Sequence, residues 1–299
     1  MKARGAILVL LGAVALGTFG VLASLMLTAG MSVLTQTFWR FLIAGVVFLS
    51  TALALFRRKA IPRLGQIPFM LSTGGIMLLL SLTYIGAVDI GTPVPVVAFL
   101  VNTSTLFILV LSAAFLKERL TRRKMLAASA GVVAIVLLSH VWDASSAGNT
   151  LGDGIAVFNA LLFGVLTVVD RRLVQQVNPQ LVTTWVFVGA ALWSLPLLAA
   201  GSVSLELDAY QFGLVALMAL ISTFMAYSLV NWGMEKVTAS STAIVLFFAP
   251  VTTTLLSYPF LGEALSMPEA LGAALVFVSI LILWERRARV PGEPPGLWG

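Results

Sequence analysis

Of this chain's 299 residues, 60% are hydrophobic and 10% charged, against roughly 45–50% and about 25% in soluble domains. So little polar surface cannot cover a water-soluble globule, and so apolar a chain is not disordered, which leaves lipid as the main solvent. The net charge of +6 is read as Lys and Arg held at one membrane face, not as a nucleic-acid surface; no cysteine and one histidine, His140, leave no disulfide and too few ligands for a metal site.

The chain opens MKARGAILVLLGAVALGTFGVLASLMLTAG, with Lys2 and Arg4 ahead of an apolar run over 5–28. A cleaved signal peptide has a shorter apolar core, roughly 7–15 residues, so this run is predicted to be a retained first transmembrane helix. Further runs long enough to cross a bilayer follow at 32–56, 67–87, 92–116, 124–141, 153–170, 180–200, 210–232, 238–261 and 267–285. None alternates apolar and polar as a barrel strand does. The expected fold is all-α and integral to the membrane, with ten transmembrane helices. With the N-terminus cytoplasmic, seventeen of the 18 basic residues lie on the cytoplasmic side, and the opposite loops hold none. The remaining one, Arg40, lies inside helix two. This split predicts both termini in the cytoplasm, in a plasma (bacterial inner) membrane. The tail PGEPPGLWG (291–299), with its Pro and Gly, is read as an unstructured end.

One short phrase recurs. FLKERLTRRK falls on FLGEALSMPE at an offset of 145, so that Phe115 meets Phe260, Glu118 meets Glu263 and Leu120 meets Leu265. At an offset of 147, Gly5 meets Gly152, Ala13 meets Ala160, Gly17 meets Gly164 and Thr37 meets Thr184. The chain thus divides into two five-helix copies, 1–145 and 146–290. Five is odd, so the second copy enters the membrane from the other side. This is the inverted repeat of many secondary transporters, with a substrate cavity between the halves. Glu118 and Glu263 each sit between two helices, before a Thr or Ser start. A carboxylate there accepts from free backbone N–H groups as a loop cap, or serves as a gate.

Several stretches together resemble the drug/metabolite transporter superfamily, EamA type. They are the doubled Phe-Leu-x-Glu-x-Leu-Ser/Thr phrase, TFWRFLIAG (37–45), MEKVTASSTAIV (234–245) and FFAPVTTTLLSYPFLGEALS (247–266). Within it the chain looks most like the YddG-type exporters of aromatic and other neutral amino acids. The resemblance implies a basket of helices around a central cavity and export of small metabolites. One departure is that Pro250 has no counterpart in the first half, where Thr105 aligns.

Candidate site residues follow from the cost of polarity in lipid. Arg40 either partners a substrate carboxylate or is a structural pin to helix-end carbonyls or to Asp89. Asp89, Asp153, Asp170 and Glu235 all lie near span ends. The lack of a mid-span acid favours facilitated diffusion over proton coupling. A cavity for neutral or zwitterionic solutes would use hydroxyls, amides and aromatics. Thr18, Ser81, Tyr84, Phe99, Asn102, Phe158, Asn159, Phe163, Trp185, Tyr227 and Phe247 are the candidates, with Pro250 as a hinge in helix nine. For Asn102 and Asn159 the alternative is helix–helix adhesion, and for Phe158 and Phe163 it is lipid contact. An enzyme would need paired carboxylates, a Ser–His pair or metal ligands, and a channel would need rings of charge or carbonyls. The expected partners are a small-molecule substrate and the bilayer, with no nucleic acid and no cofactor; a monomer suffices. Amino acids lead as substrates, ahead of purine nucleosides or bases, drugs, and the non-transporting role of a membrane scaffold or channel subunit.

Overall fold

The computed structural model describes residues 3–61, 65–92, 94–139, 150–199, 201, 203–261 and 267–283. Among them the chain forms ten successive helical rods. They are α1 (Ala3–Thr28), α2 (Val33–Phe56), α3 (Ile67–Asp89), α4 (Val94–Asn102 and Ser104–Phe115) and α5 (Arg122–Ser139). The second set is α6 (Thr150–Leu173), α7 (Pro179–Ala199), α8 (Ala209–Met234), α9 (Ala239–Leu246 and Phe248–Leu261) and α10 (Met267–Leu283). Seven of them, α1 to α3 and α6 to α9, are long and apolar enough to cross a membrane. The other three fall short for visible reasons. α4 is broken at Thr103, α5 begins with Arg122, Arg123 and Lys124, and α10 has 17 described residues.

The rods start where the sequence supplies caps. Ser32, Asn178 and Thr238 accept from backbone N–H groups of Thr35, Gln180 and Ser241, and Asp208 forms a capping box with Gln211. α1 and α3 are followed by Gly30 and Gly91 at φ of 78° and 99°, the left-handed turn that a side chain disfavours.

Two ends of the bundle are tied separately. At one end Trp185 Nε1 donates to Ala60 O at 3.0 Å, Arg171 donates to Met234 O, and Gly5 approaches Lys236. This end carries Arg57, Lys117, Arg119, Lys124, Arg172 and Lys236, and is called the basic end below. At the opposite end Trp39 Nε1 donates to Ser204 O and Gln211 Nε2 to Ala29 O.

α1 packs on α8 and α9, α2 on α7 and α8, α3 on α6 and α7, α4 on α6, and α5 on α10. Adding or subtracting five maps this pattern onto itself. Thus α1–α8 becomes α6–α3, α1–α9 becomes α6–α4, α3–α7 becomes α8–α2, and α2–α7 and α5–α10 return to themselves. Close approach rests on small residues. Gly74 of α3 lies against the backbone of Gly189 and Ala190, Gly189 meets the backbone of Leu71, and Gly131 of α5 receives the Phe247 ring. In lipid, dispersion replaces the hydrophobic effect between helices, so backbone proximity is the main gain. The Phe48 ring of α2 stacks on Phe187 at 4.9 Å between centroids and meets Phe224 at a tilt at 4.8 Å.

Candidate functional site

A cavity of about 130 Å³ lies between α1, α2, α3, α4, α6, α8 and α9. One water needs on the order of 10–15 Å³ on this measure, so the space suits a solute of roughly ten non-hydrogen atoms. Eight residues singled out by sequence meet around it: Arg40, Ser81, Tyr84, Asn102, Asn159, Phe163, Tyr227 and Pro250.

Arg40 is 5% exposed. Its Nε donates to Thr223 Oγ1 at 2.8 Å and a terminal nitrogen to Ser81 Oγ at 3.2 Å. The guanidinium carbon sits 4.5 Å from the Phe19 ring centre and 5.0 Å from that of Phe41. Among the described residues no carboxylate pairs with it. Neither structural partner considered from sequence, Asp89 or a helix-end carbonyl, holds it. Hydroxyls orient the guanidinium, and its charge is left without a counterion.

Thr223 is placed by a feature that sequence periodicity does not report. Within α8, Met218–Met225 widens into a π-helical stretch, and Thr223 Oγ1 donates back to Met218 O at 3.0 Å. The same stretch turns Ser222 toward Thr18 of α1, Oγ to Oγ1 at 2.5 Å.

Asn159 Nδ2 donates to Leu80 O and to Thr83 Oγ1, both at 2.7 Å, and Asn102 Nδ2 donates to Ala98 O at 2.7 Å. The Asn159 amide thus joins α6 to α3, as the adhesive alternative expected, whereas the Asn102 amide bonds a carbonyl of its own helix. No donor among the described residues meets either carbonyl oxygen, so these oxygens remain as acceptors on the cavity wall. Phe19 stands edge-on to Tyr84 at 5.0 Å and adds aromatic surface. Sequence reading missed Phe19, Thr223 and Thr253, whose Oγ1 donates to Gly17 O at 2.8 Å. Thr223 follows Ser222 and Thr253 sits between Thr252 and Thr254, while Phe19 stands in an apolar helix, so the pattern did not mark which of these side chains faces the cavity.

Other sequence candidates lie off the cavity. Thr18 bonds Ser222 between helices. Phe158 is 48% exposed on the outer surface of the bundle. Trp185 holds Ala60. Phe247 is fully buried against Gly131. The Phe99 side chain and Glu263 lie outside the described residues. α9 breaks at Phe247, three residues before Pro250, whose missing N–H removes the bond to the Leu246 carbonyl. α4 breaks at Thr103 without a proline. There Thr103 Oγ1 and Asn102 Nδ2 donate to carbonyls of their own helix and loosen the ladder instead.

Glu118 does cap a helix, but in the other half of the chain. Its Oε1 accepts from Ala239 N at 2.9 Å, and its Oε2 from Ser240 Oγ at 2.6 Å and Lys124 Nζ at 3.4 Å. Ser112 Oγ meets the same Ser240 Oγ at 2.9 Å. Lys117 just before it adopts φ 53°, and the aligned residue of the second copy is Gly262, which takes that conformation freely. Burial alone would raise the Glu118 carboxyl. The Ser240 hydroxyl, the Ala239 and Ser240 amides and Lys124 outweigh it and hold the group below the usual carboxylate range. A carboxyl lowered by folding stabilises the native state above its unfolded value, about 4.3, and that contribution disappears as pH falls through the folded value. Melting in detergent is therefore expected to drop as pH falls below that window, and Glu118→Gln to flatten the profile. At neutral pH the same variant should melt about 2–4 °C lower, for a cap worth roughly 1 kcal/mol; an unchanged profile would remove the latch from the account.

Asp170 lies one turn before the end of α6, as read from sequence, and is 4% exposed. Sequence distance from a helix end does not report burial when neighbouring helices cover that end.

The EamA-like transporter family model matches twice, over residues 3–140 and 150–284. An uncharacterized transporter of Archaeoglobus fulgidus is 26% identical over 83% of this chain and 87% of its own length. The uncharacterized transporter YyaM of Bacillus subtilis is 24% identical over 62% of each chain. A solved crystal structure with 20% identity superposes at a TM-score of 0.79 over 95% of this chain and 97% of its own, which places the fold. The chain belongs to the EamA-like transporter family of the drug/metabolite transporter superfamily and is a multi-pass membrane transporter.

Proposed function

We propose that this EamA-like transporter exports small zwitterionic metabolites, neutral and aromatic amino acids foremost, by alternating access between inverted halves 1–145 and 146–290. The observation that carries the reading is Arg40, a buried cation without a carboxylate partner on the wall of a solute-sized cavity. A solute carboxylate completes it as a charge-assisted, bidentate pair. The amide oxygens of Asn102 and Asn159 offer acceptors for an ammonium group, and Phe19, Tyr84, Phe163 and Tyr227 offer an aromatic wall for a side chain. The absence of a cavity carboxylate among the described lining residues disfavours cationic drugs.

The pairing of α1–α5 with α6–α10 supports inversion, and the positive-inside pattern puts the basic end in the cytoplasm. In this arrangement Glu118 closes the basic end by joining the α4–α5 loop to the start of α9. The breaks at Thr103 and Phe247 supply the bends.

Liposomes containing the purified protein test the reading, with labelled Phe, Met and Thr followed with and without a pH gradient. Saturable uptake of at least one is expected. Failure of all three, with uptake of a nucleoside, would transfer the cavity to purine metabolites. Failure of every small solute would leave a non-transporting membrane scaffold.

A further inference from the structure

We propose that Asp170 is a proton-binding site in a layer of unpartnered polar atoms at the basic end of the bundle, and that its proton moves together with the solute held at Arg40. The coupling half of this proposal rests on the reading of Arg40 as the carboxylate partner; the site itself does not.

The layer consists of five buried atoms. Asp170 Oδ1, Gln180 Nε2, Ser228 Oγ, Asn231 Oδ1 and Thr242 Oγ1 have no hydrogen-bond partner. None of their residues is more than 5% exposed. Helix ends put them at one depth. Asp170 and Asn231 each lie one turn before the ends of α6 and α8, and Gln180 and Thr242 lie in the first turns of α7 and α9. Ser228 is one turn deeper on α8. α6 touches α7, α8 and α9, and α8 touches α7 and α9. Buried polar atoms are nearly always satisfied, so several orphans at one level on adjoining helices mark a place where a ligand belongs.

The chemistry fits a proton better than a metal cation. The layer has a single carboxylate, and the Gln180 amide adds a donor where a metal would want another oxygen. The layer holds acceptors that a protonated carboxyl could use (the Asn231 amide oxygen and the hydroxyls) and donors that an ionised one could use (the Gln180 amide and the Ser228 and Thr242 hydroxyls), and none of them is bonded to Asp170 in this arrangement.

The charged and titratable surroundings are few. Tyr227 of α8 lies within electrostatic reach of both Asp170 and Arg40, and it lines the cavity. On its own helix, Arg171 is engaged with Met234 O and lies within reach of Glu118. The halves of α3, α4, α7 and α9 nearest the basic end bring no charged residue. Among the described residues no carboxylate contacts Arg40, so in the empty carrier its unpaired charge favours an ionised Asp170 only at longer range, with Tyr227 within reach of both. When a solute carboxylate pairs with Arg40, that field is cancelled and Asp170 takes up a proton. By linkage the proton strengthens solute binding by the same factor.

Infrared difference spectra of the full-length protein in detergent, recorded across pH, test the site without any substrate. A protonated-carboxyl band that titrates in the wild type and is lost in Asp170→Asn, with Asp170→Glu shifting it, is the expected result. A wild type without such a band, or a band unchanged in Asp170→Asn, overturns the proposal; so does a band erased by sodium at constant pH. Coupling is read separately, as proton uptake when phenylalanine is added to weakly buffered wild-type protein. Uptake of about one proton per bound phenylalanine is expected, and binding without uptake overturns the coupling. If phenylalanine does not bind at all, the amino-acid reading fails, while the spectra still decide Asp170. This wild-type arm stands even where a variant fails to fold.

Discussion

Arg40→Ala is expected to lower saturable uptake of phenylalanine about 100-fold, with the purified protein still monodisperse. A charge-assisted hydrogen bond is worth roughly 1.5–3 kcal/mol, and about 1.36 kcal/mol is a factor of ten. The fold should survive because the side chain's partners keep others. Thr223 Oγ1 still bonds Met218 O, and Ser81 Oγ still faces Thr37 Oγ1 at 3.2 Å. Arg40→Lys should fall between the two. It keeps a charge but loses the fork that matches a carboxylate and the stacking against Phe19. Uptake by Arg40→Ala at the wild-type rate would remove Arg40 from the binding site. Loss of monodispersity would make it the structural pin that sequence reading also allowed.

Gly74→Leu is expected to abolish folding. α3 and α7 cross with Gly74 against the backbone of Gly189 and Ala190, and backbone cannot yield as the end of a side chain can. Overpacking commonly costs about 1–3 kcal/mol where side chains can shift, and more when helices must part. Gly86 lies on the same helix with nothing within 4 Å of a would-be Cβ. Gly86→Ala is the control, expected to express and melt like the wild type. Equal yields of monodisperse protein from both variants would contradict the close α3–α7 crossing.

Several helix edges were legible because apolar runs about as long as a bilayer requires begin at capping residues. Ser32, Asn178, Asp208 and Thr238 stand within one or two residues of the starts read from sequence. The Glu118 phrase was legible as a repeat, but its partners were not. Ala239 lies 121 residues away, and no local spacing joins an α4–α5 loop to the start of α9. Arg40, Asn102 and Asn159 could be found because polarity in lipid is rare. The aromatic wall was found only in part. Tyr84, Phe163 and Tyr227 face the cavity, whereas Trp185 and Phe247 pack elsewhere and Phe19 went unnoticed. A helix apolar all round carries no moment to say which face is inner. The π stretch in α8 rotates Ser222 and Thr223 out of register, so no fixed period predicts where they point. The burial of Asp170 was not legible because it comes from neighbouring helices, not from its own.

The most direct test of a carboxylate-binding cavity is competition against labelled phenylalanine uptake in liposomes, using phenethylamine and 3-phenylpropionate. Each keeps the ring and one of the two charged groups. Inhibition by 3-phenylpropionate, with little or none by phenethylamine, is the predicted result, since Arg40 is the dominant charge in the cavity. Inhibition by phenethylamine alone would contradict the account and leave the buried cation as a structural element.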